Sequence, residues 1–313
     1  MKKTVIILLI FGMIFYFLFH PGAAVSAAAN GLLIWYSRVL PALLPFSIIS
    51  NWMVLSGLPG YLENRMETIA HKDRGISVSE WIAILCGFLF GFPMGSKMAA
   101  DLCENGEITP RQAQIICCFA NHMSPAFVGG YVVTSILRCP EKLWPTYAII
   151  YVPSFVLCIL MLQYQRKKNP PGKIHKKPAS GFDINMQIID AGIQNGCETL
   201  IKLCGYIVIF SIGVSALDLF GHIPPRLKIV ITGFLEITNG IAQIDNCHYN
   251  DDTKYILAIM FLAFGGISGI AQTGSMIKKA NLSIGKYAIA KLLLSVVSAL
   301  LAIAYLFAQR SFG

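Results

Sequence analysis

Four stretches of this chain carry polar groups inside apolar surroundings, and these are the residues that could do chemistry. The first is Gly91-Phe92-Pro93-Met94-Gly95-Ser96-Lys97. The second is Asn121-His122-Met123-Ser124-Pro125, and the third is Glu236-Ile237-Thr238-Asn239-Gly240. The fourth runs from Gly265 through Ser268 to Gln272 and Thr273. Pro and Gly break the helical hydrogen-bond ladder, so each stretch should expose backbone N–H and C=O groups. Inside a membrane those groups need partners, and a bound solute or ion can supply them. Helix N-termini at such breaks favour an anion. The candidate substrate-binding residues are therefore Pro93, Gly95, Ser96, Lys97, Asn121, Ser124, Glu236, Thr238, Asn239, Ser268, Gln272 and Thr273.

Each has a plainer alternative. Lys97 could neutralise an anionic substrate, or pair with Asp101 one turn later. An ionisable group at depth costs about 2.5–3.5 kcal/mol on insertion scales, so it must face a cavity or a partner. Glu236 could bind H⁺ or Na⁺ for coupling or hydrogen-bond a substrate, or it could pair with Lys97 or Arg38. His122 could relay a proton or simply be hydrogen-bonded. The neutral polar residues could be helix-packing glue. Arg38 reads as a snorkelling residue near the outer interface.

The elements that position these residues are membrane helices. The chain has 313 residues, 55% hydrophobic and 13% charged, against about 25% charged in a soluble domain. A mean hydropathy of +0.63 excludes a soluble enzyme, a disordered chain and a disulfide-stapled module. At roughly 20 residues per helix, the length allows about seven to nine crossings. The net charge of +9 clusters beside apolar runs, which fits the positive-inside bias rather than nucleic acid, and no nucleic-acid partner is expected. Nine cysteines form no C-x-x-C pair, so neither a disulfide framework nor a metal site is expected.

Residues 1–27 form a signal anchor or first transmembrane helix, with Val25-Ser26-Ala27 as an alternative cleavage site. A second span follows from about Gly31 to Leu55. The run from Trp81 to Ala100 reads as a re-entrant hairpin with its tip near Pro93. Ala113 to Leu137 reads as a span unwound at its middle, and Leu143 to Tyr164 as a plain span. Residues 165–182 form a basic cytoplasmic linker. Ile184 to Ile201 has a 3.6-residue apolar period opposed by Asn185, Gln187, Gln194 and Glu198, which predicts an interfacial amphipathic helix leading into a span. Leu227 to Ile244 is a second broken hairpin, Tyr255 to Ile277 a second interrupted span, and Ile284 to Ala308 the last.

The two halves repeat. Asn30-Gly31 matches Asn195-Gly196, Phe46-Ser47-Ile48 matches Phe210-Ser211-Ile212, and Gly87-Phe88-Leu89 matches Gly233-Phe234-Leu235. Ser124 and Gly130 match Ser268 and Gly274. Each half has three crossings, an odd number, so the second half enters from the opposite face. The expected fold is an all-α polytopic membrane protein, an inverted repeat with two re-entrant hairpins and two interrupted helices. Its domains are a first repeat over 28–164 and a second, inverted repeat over 183–313. Paired breaks in inverted halves point to a transporter site near the midplane. With the N-terminus cytoplasmic, the loop at 245–252, carrying Asp245, Asp251 and Asp252, falls outside. Lys278, Lys279 and Lys286 fall inside, as the charge bias requires.

The runs Leu32-Leu33-Ile34-Trp35-Tyr36 and Val39-Leu40-Pro41-Ala42-Leu43-Leu44-Pro45-Phe46 resemble the opening of the sporulation integral membrane protein YlbJ (SpoVV) family. So do Gly91–Lys97 with Ala100-Asp101-Leu102, and Gly233–Thr238 followed by Phe264–Ser268. The chain departs from the family pattern at Asn121–Pro125. The resemblance implies a nucleoside-recognition (Gate) domain, a design related to concentrative nucleoside transporters, and a bacterial cell membrane, the forespore outer membrane in a sporulating cell. It further implies movement of dipicolinate toward the spore by alternating access. No cofactor is expected, and coupling to Na⁺ or H⁺ stays open. The expected partners are a small anionic substrate and the lipid bilayer, with a homo-oligomer left open. The rivals are a nucleoside or other small-solute transporter, and a non-transporting spore-envelope assembly protein. An enzyme is not expected. Gly266-Ile267-Ser268-Gly269 is similar to the G-x-S-G of rhomboid proteases, but no His follows Ser268 to serve as its base.

Overall fold

A computed structural model describes residues 2–69, 76–168, 182–221, 223–245 and 247–312. The described residues are mostly helical, with no strand among them. Most of the basic linker expected at 165–182, including Lys173, Lys176 and Lys177, lies outside them.

Helix α1 (Lys2–Phe19) meets α2 (Pro21–Ile34) at His20, where the axis bends by 112°. Helix α2 runs through the residue 27/28 boundary and continues by a π-helical turn, Trp35–Val39, into α3 (Leu40–Leu55). Pro41 and Pro45 lack the N–H groups that a regular helix would return to the preceding turn. The wider turn upstream absorbs that loss, and Ser37 Oγ donates to the Leu33 carbonyl at 2.6 Å.

Helix α4 (Leu58–Ile69) leads to the first helical hairpin, α5 (Val78–Leu89) and α6 (Met94–Glu104). At 12 residues, α5 is about 18 Å long, too short to cross a bilayer core of about 30 Å. A reciprocal capping box between Ser77 and Glu80 starts α5. A second one, between Thr109 and Gln112, starts α7 (Pro110–Phe119). Residues 120–124 are unwound, and the chain resumes in a π-helical segment, Phe127–Ile136. There Thr134 and Ser135 hydroxyls donate to the Gly129 and Gly130 carbonyls at 2.8 and 2.9 Å. Helix α8 (Leu143–Lys168) closes the first half.

Helix α9 (Met186–Ala216) is one continuous helix of 31 residues, about 46 Å. The interfacial helix expected at 184–201 is thus not a separate surface element. The first half of α9 packs antiparallel on α3. A short 3-10 turn, Leu217–Phe220, precedes the second hairpin, α10 (Pro225–Leu235) and α11 (Ile237–Asp245). Helix α12 (Asp251–Phe264) passes through left-handed Gly265 (φ +83°) into α13 (Gly266–Ile277), and α14 (Ile284–Phe312) ends the chain.

Four helices are long and apolar enough to cross a membrane, or five if the bent α1–α2 pair is one span. The topology read from sequence has seven crossings. The difference lies in interrupted pieces such as α7 and Phe127–Ile136, which fall short of that length individually. The largest buried cluster joins the π-helical segment Phe127–Ile136, α8, α10, α11, α12 and α14, with Tyr255 and Phe261 at its centre. A second cluster joins α5, α6, α7 and α8. At one end of the bundle Arg138 pairs with Asp245 at 3.2 Å and Arg310 pairs with Asp252.

Candidate functional site

The site is built from close backbone contacts. In the first hairpin the arms cross at Gly87 and Gly95. A Cβ on Gly95 would stand 2.6 Å from Gly87 Cα, and a Cβ on Gly87 would stand 1.7 Å from the Ala120 carbonyl oxygen. In the second hairpin a Cβ on Gly240 would stand 2.2 Å from Gly233 Cα. Each hairpin tip rests on the interrupted helix of its own half. Gly91 (φ +84°) lies against Ser124, and Gly266 (φ +75°) lies against Leu235, Glu236 and Ile237. The first tip also reaches across the halves, because the Phe92 ring covers Gly269 on α13.

The long helices touch in a matched way. Gly31 on α2 faces Ser211 on α9, and Gly196 on α9 faces Ile48 on α3. Ser47 Oγ reaches the Gly196 carbonyl at 3.5 Å. Trp35 Nε1 donates to the Leu200 carbonyl at 2.9 Å, and Trp52 Nε1 to the Ile189 carbonyl at 3.0 Å.

Both tips, both interruptions and the α3–α9 pair enclose a cavity of about 70 Å³. Of the residues singled out in the sequence, Ser124, Glu236, Thr238, Ser268 and Gln272 line it. Glu236 is 2% exposed and sits in extended backbone just before α11. Its Oε2 accepts from Thr238 Oγ1 at 2.5 Å, from Asn239 N at 2.8 Å and from Asn239 Nδ2 at 2.9 Å. It thus caps α11, where a carboxylate is favoured by the unpaired N–H groups and the helix dipole. Asn239 Nδ2 also donates to Ser211 Oγ on α9 at 3.1 Å, tying the tip to the long helix. Gln272 Nε2 donates to Ser268 Oγ at 3.0 Å. Arg38 stands at the same cavity, its guanidinium 5.1 Å from the centre of the Tyr131 ring.

Three other candidates form a buried joint instead. Asn121 Oδ1 accepts from Ser96 N at 3.3 Å, and its Nδ2 donates to Thr273 Oγ1 at 3.3 Å and Tyr287 Oη at 3.0 Å. Ser96, Asn121 and Thr273 are fully buried and hold α6, the unwound segment, α13 and α14 together. Pro93 and Gly95 shape the first tip.

Lys97 points elsewhere. It lines a second, open vestibule of about 510 Å³ with Asn51, Asp101, Glu198, Lys202 and Lys279. Its Nζ donates to Asp101 Oδ2 at 2.7 Å and to Asn51 Oδ1 at 2.9 Å. The pairing expected between Lys97 and Glu236 is therefore not made. Each has its own local partners. The cavity and the vestibule lie in succession along the same helices. Leu43 and Asn51 face them from α3, Leu203 and Thr199 from α9, and Gln272 and Ser275 from α13.

His122 is buried, with Nε2 3.0 Å from the Phe119 carbonyl and Phe88 stacked on its ring at 5.4 Å. Its other nitrogen faces Lys291, a buried cation that the sequence reading passed over. The available signal was a lone Lys in the middle of the final apolar run.

The chain is similar over its length to one curated protein, the sporulation integral membrane protein YlbJ of Bacillus subtilis (strain 168). The two are 23% identical over 314 aligned positions, covering 90% of this chain and 77% of that protein. No protein-family model and no solved structure matches the chain. The alignment extends through both hairpins and both interrupted helices, so this integral membrane protein is similar to YlbJ throughout its helical body.

Proposed function

We propose that this membrane protein acts in sporulation as a transporter, moving a small anionic solute of the dipicolinate type toward the forespore by alternating access. One observation carries the reading: two hairpin tips and two helix interruptions converge on one cavity, largely apolar but with Arg38, Ser124, Glu236, Thr238, Ser268 and Gln272 in its wall. Interrupted backbone is tolerated at membrane depth only where it is buried in protein or lines a cavity, and paired interruptions are a transporter signature. The matched contacts Gly31–Ser211 and Gly196–Ser47 support an inverted repeat, because equivalent residues exchange roles across the α2–α3 and α9 pair. Arg38 at the cavity and Lys97 in the vestibule supply cations for an anion on its way through. We assign no enzymatic role.

A specific observation favours a second reading. Glu236 itself lines the cavity. A carboxylate there repels a dianion and accepts from hydroxyl or amide donors, as a nucleoside would offer. Uptake of labelled dipicolinate and of uridine into proteoliposomes separates the two. Saturable dipicolinate uptake weakened at least about tenfold by Arg38→Ala supports the anion reading, the loss expected for one charge-assisted contact. Uridine uptake alone keeps the transporter and replaces the substrate. No flux of either through inserted, folded protein sinks the transport reading in favour of a scaffold.

A further inference from the structure

We propose that Lys291 and His122 together hold one exchangeable proton, and that this proton governs how the first interrupted helix seats against α14. Lys291 is 2% exposed and His122 is 1% exposed. Lys291 Nζ lies 3.5 Å from His122 Nδ1. The Phe119 carbonyl, 3.0 Å from Nε2, can only accept, so Nε2 carries the ring hydrogen. That leaves the Nδ1 lone pair facing the ammonium. The pair therefore holds a single proton beyond its neutral forms, Lys–NH₃⁺···Nδ1, and its loss takes the pair from +1 to neutral.

Among the described residues, the surroundings contain no countercharge. From α14 itself the Tyr287 ring faces Lys291, its centre 5.9 Å from Nζ. From α7 the thiols of Cys117 and Cys118 stand close enough to interact with it electrostatically. From α8 the Tyr151 ring meets His122 edge-on at 6.0 Å. No Asp or Glu pairs with Lys291 among the described residues. A buried cation whose nearest base is a neutral imidazole can shed its proton without leaving an orphaned acid. His122 sits inside the unwound segment 120–124, beside Asn121, which ties that segment to α6, α13 and α14. A change of charge here thus acts at the joint between the halves. Within the transporter reading this is the coupling site, in place of Glu236, while proton binding itself does not depend on that reading.

Nitrogen-15 NMR of histidine-labelled protein in nanodiscs tests it, with His122→Asn used to assign the ring. The His122 Nδ1 resonance should move in one step between about pH 5 and about pH 9. Lys291→Arg keeps a cation of similar reach but holds its proton, so the step should vanish. A flat resonance in the unsubstituted protein, or an unchanged step in Lys291→Arg, overturns the proposal. The unsubstituted titration decides it even if that variant fails to fold. Dipicolinate flux is measured beside it. Flux with a flat resonance defeats the proton site alone, and a clear step without flux defeats the transport reading alone.

Discussion

At the scale of single residues, Glu236 does two separable jobs. Its Oε2 caps α11 through three hydrogen bonds, and the residue lines the cavity. Glu236→Gln keeps an oxygen able to accept from Asn239 and Thr238, whereas Glu236→Ala removes the cap. Thermal denaturation in detergent should place Glu236→Ala about 1–2 kcal/mol below the parent, the ordinary cost of a lost helix cap. Glu236→Gln should lie closer to the parent. Solute flux should change in both. Equal destabilisation by the two variants would show that the charge, not the cap geometry, holds the tip. The polar residues at the breaks were legible because Pro and Gly around them forbid a regular helix. Their division of labour was not. Asn121, Ser96 and Thr273 look like site residues by type, yet they spend their hydrogen bonds on one another and on Tyr287. Lys291 was missed for a related reason. A single Lys in an apolar run reads equally well as a snorkelling residue, and only the fold shows His122 opposite it.

At the scale of elements, the hairpins depend on glycine because backbone meets backbone. A methyl at Gly87 would meet the Ala120 carbonyl, which belongs to the interrupted helix and has no soft side chain to move. A methyl at Gly130 would meet nothing within 4 Å. Gly87→Ala should therefore cost at least about 1–3 kcal/mol, the usual range for overpacking, and Gly130→Ala should be near neutral. Detergent denaturation midpoints of the two purified variants provide the check. Comparable midpoints would mean that the first hairpin does not seat on residue 120. The hairpins and interruptions could be read from composition, whereas the capping boxes Ser77-x-x-Glu80 and Thr109-x-x-Gln112 are helix-start signals that the sequence reading left unused. Helix α9 could not be placed from its pattern. Its polar positions Asn185, Gln187, Gln194 and Glu198 suggested a helix lying on the membrane surface; of these Glu198 faces the vestibule, together with Asn195, Thr199 and Lys202. Periodicity identifies a polar face without saying whether bulk water or an internal cavity wets it.

At the scale of the whole molecule, the two openings are unequal. One end holds a vestibule of about 510 Å³, and deeper along the same helices lies a cavity of about 70 Å³. The vestibule shares its end with Glu104, Glu107 and Lys279, and Asp245, Asp251 and Asp252 mark the loop of the second half that the charge bias puts outside. On the orientation expected from the positive-inside bias, the vestibule would face the cytoplasm. If inverted halves exchange roles, the opposite state closes the vestibule and widens the cavity beside Arg38. Engineered thiols can follow this directly. Above the reactivity of the native cysteines, Ser275→Cys in the vestibule should react quickly with a membrane-impermeant reagent from the cytoplasmic side. Thr238→Cys in the cavity should react slowly. An added substrate should move the two rates in opposite directions, because a ligand shifts the balance only between states it binds unequally. Parallel changes would indicate general loosening, and unchanged rates under conditions of measured flux would refute rocking of the halves as the transport step.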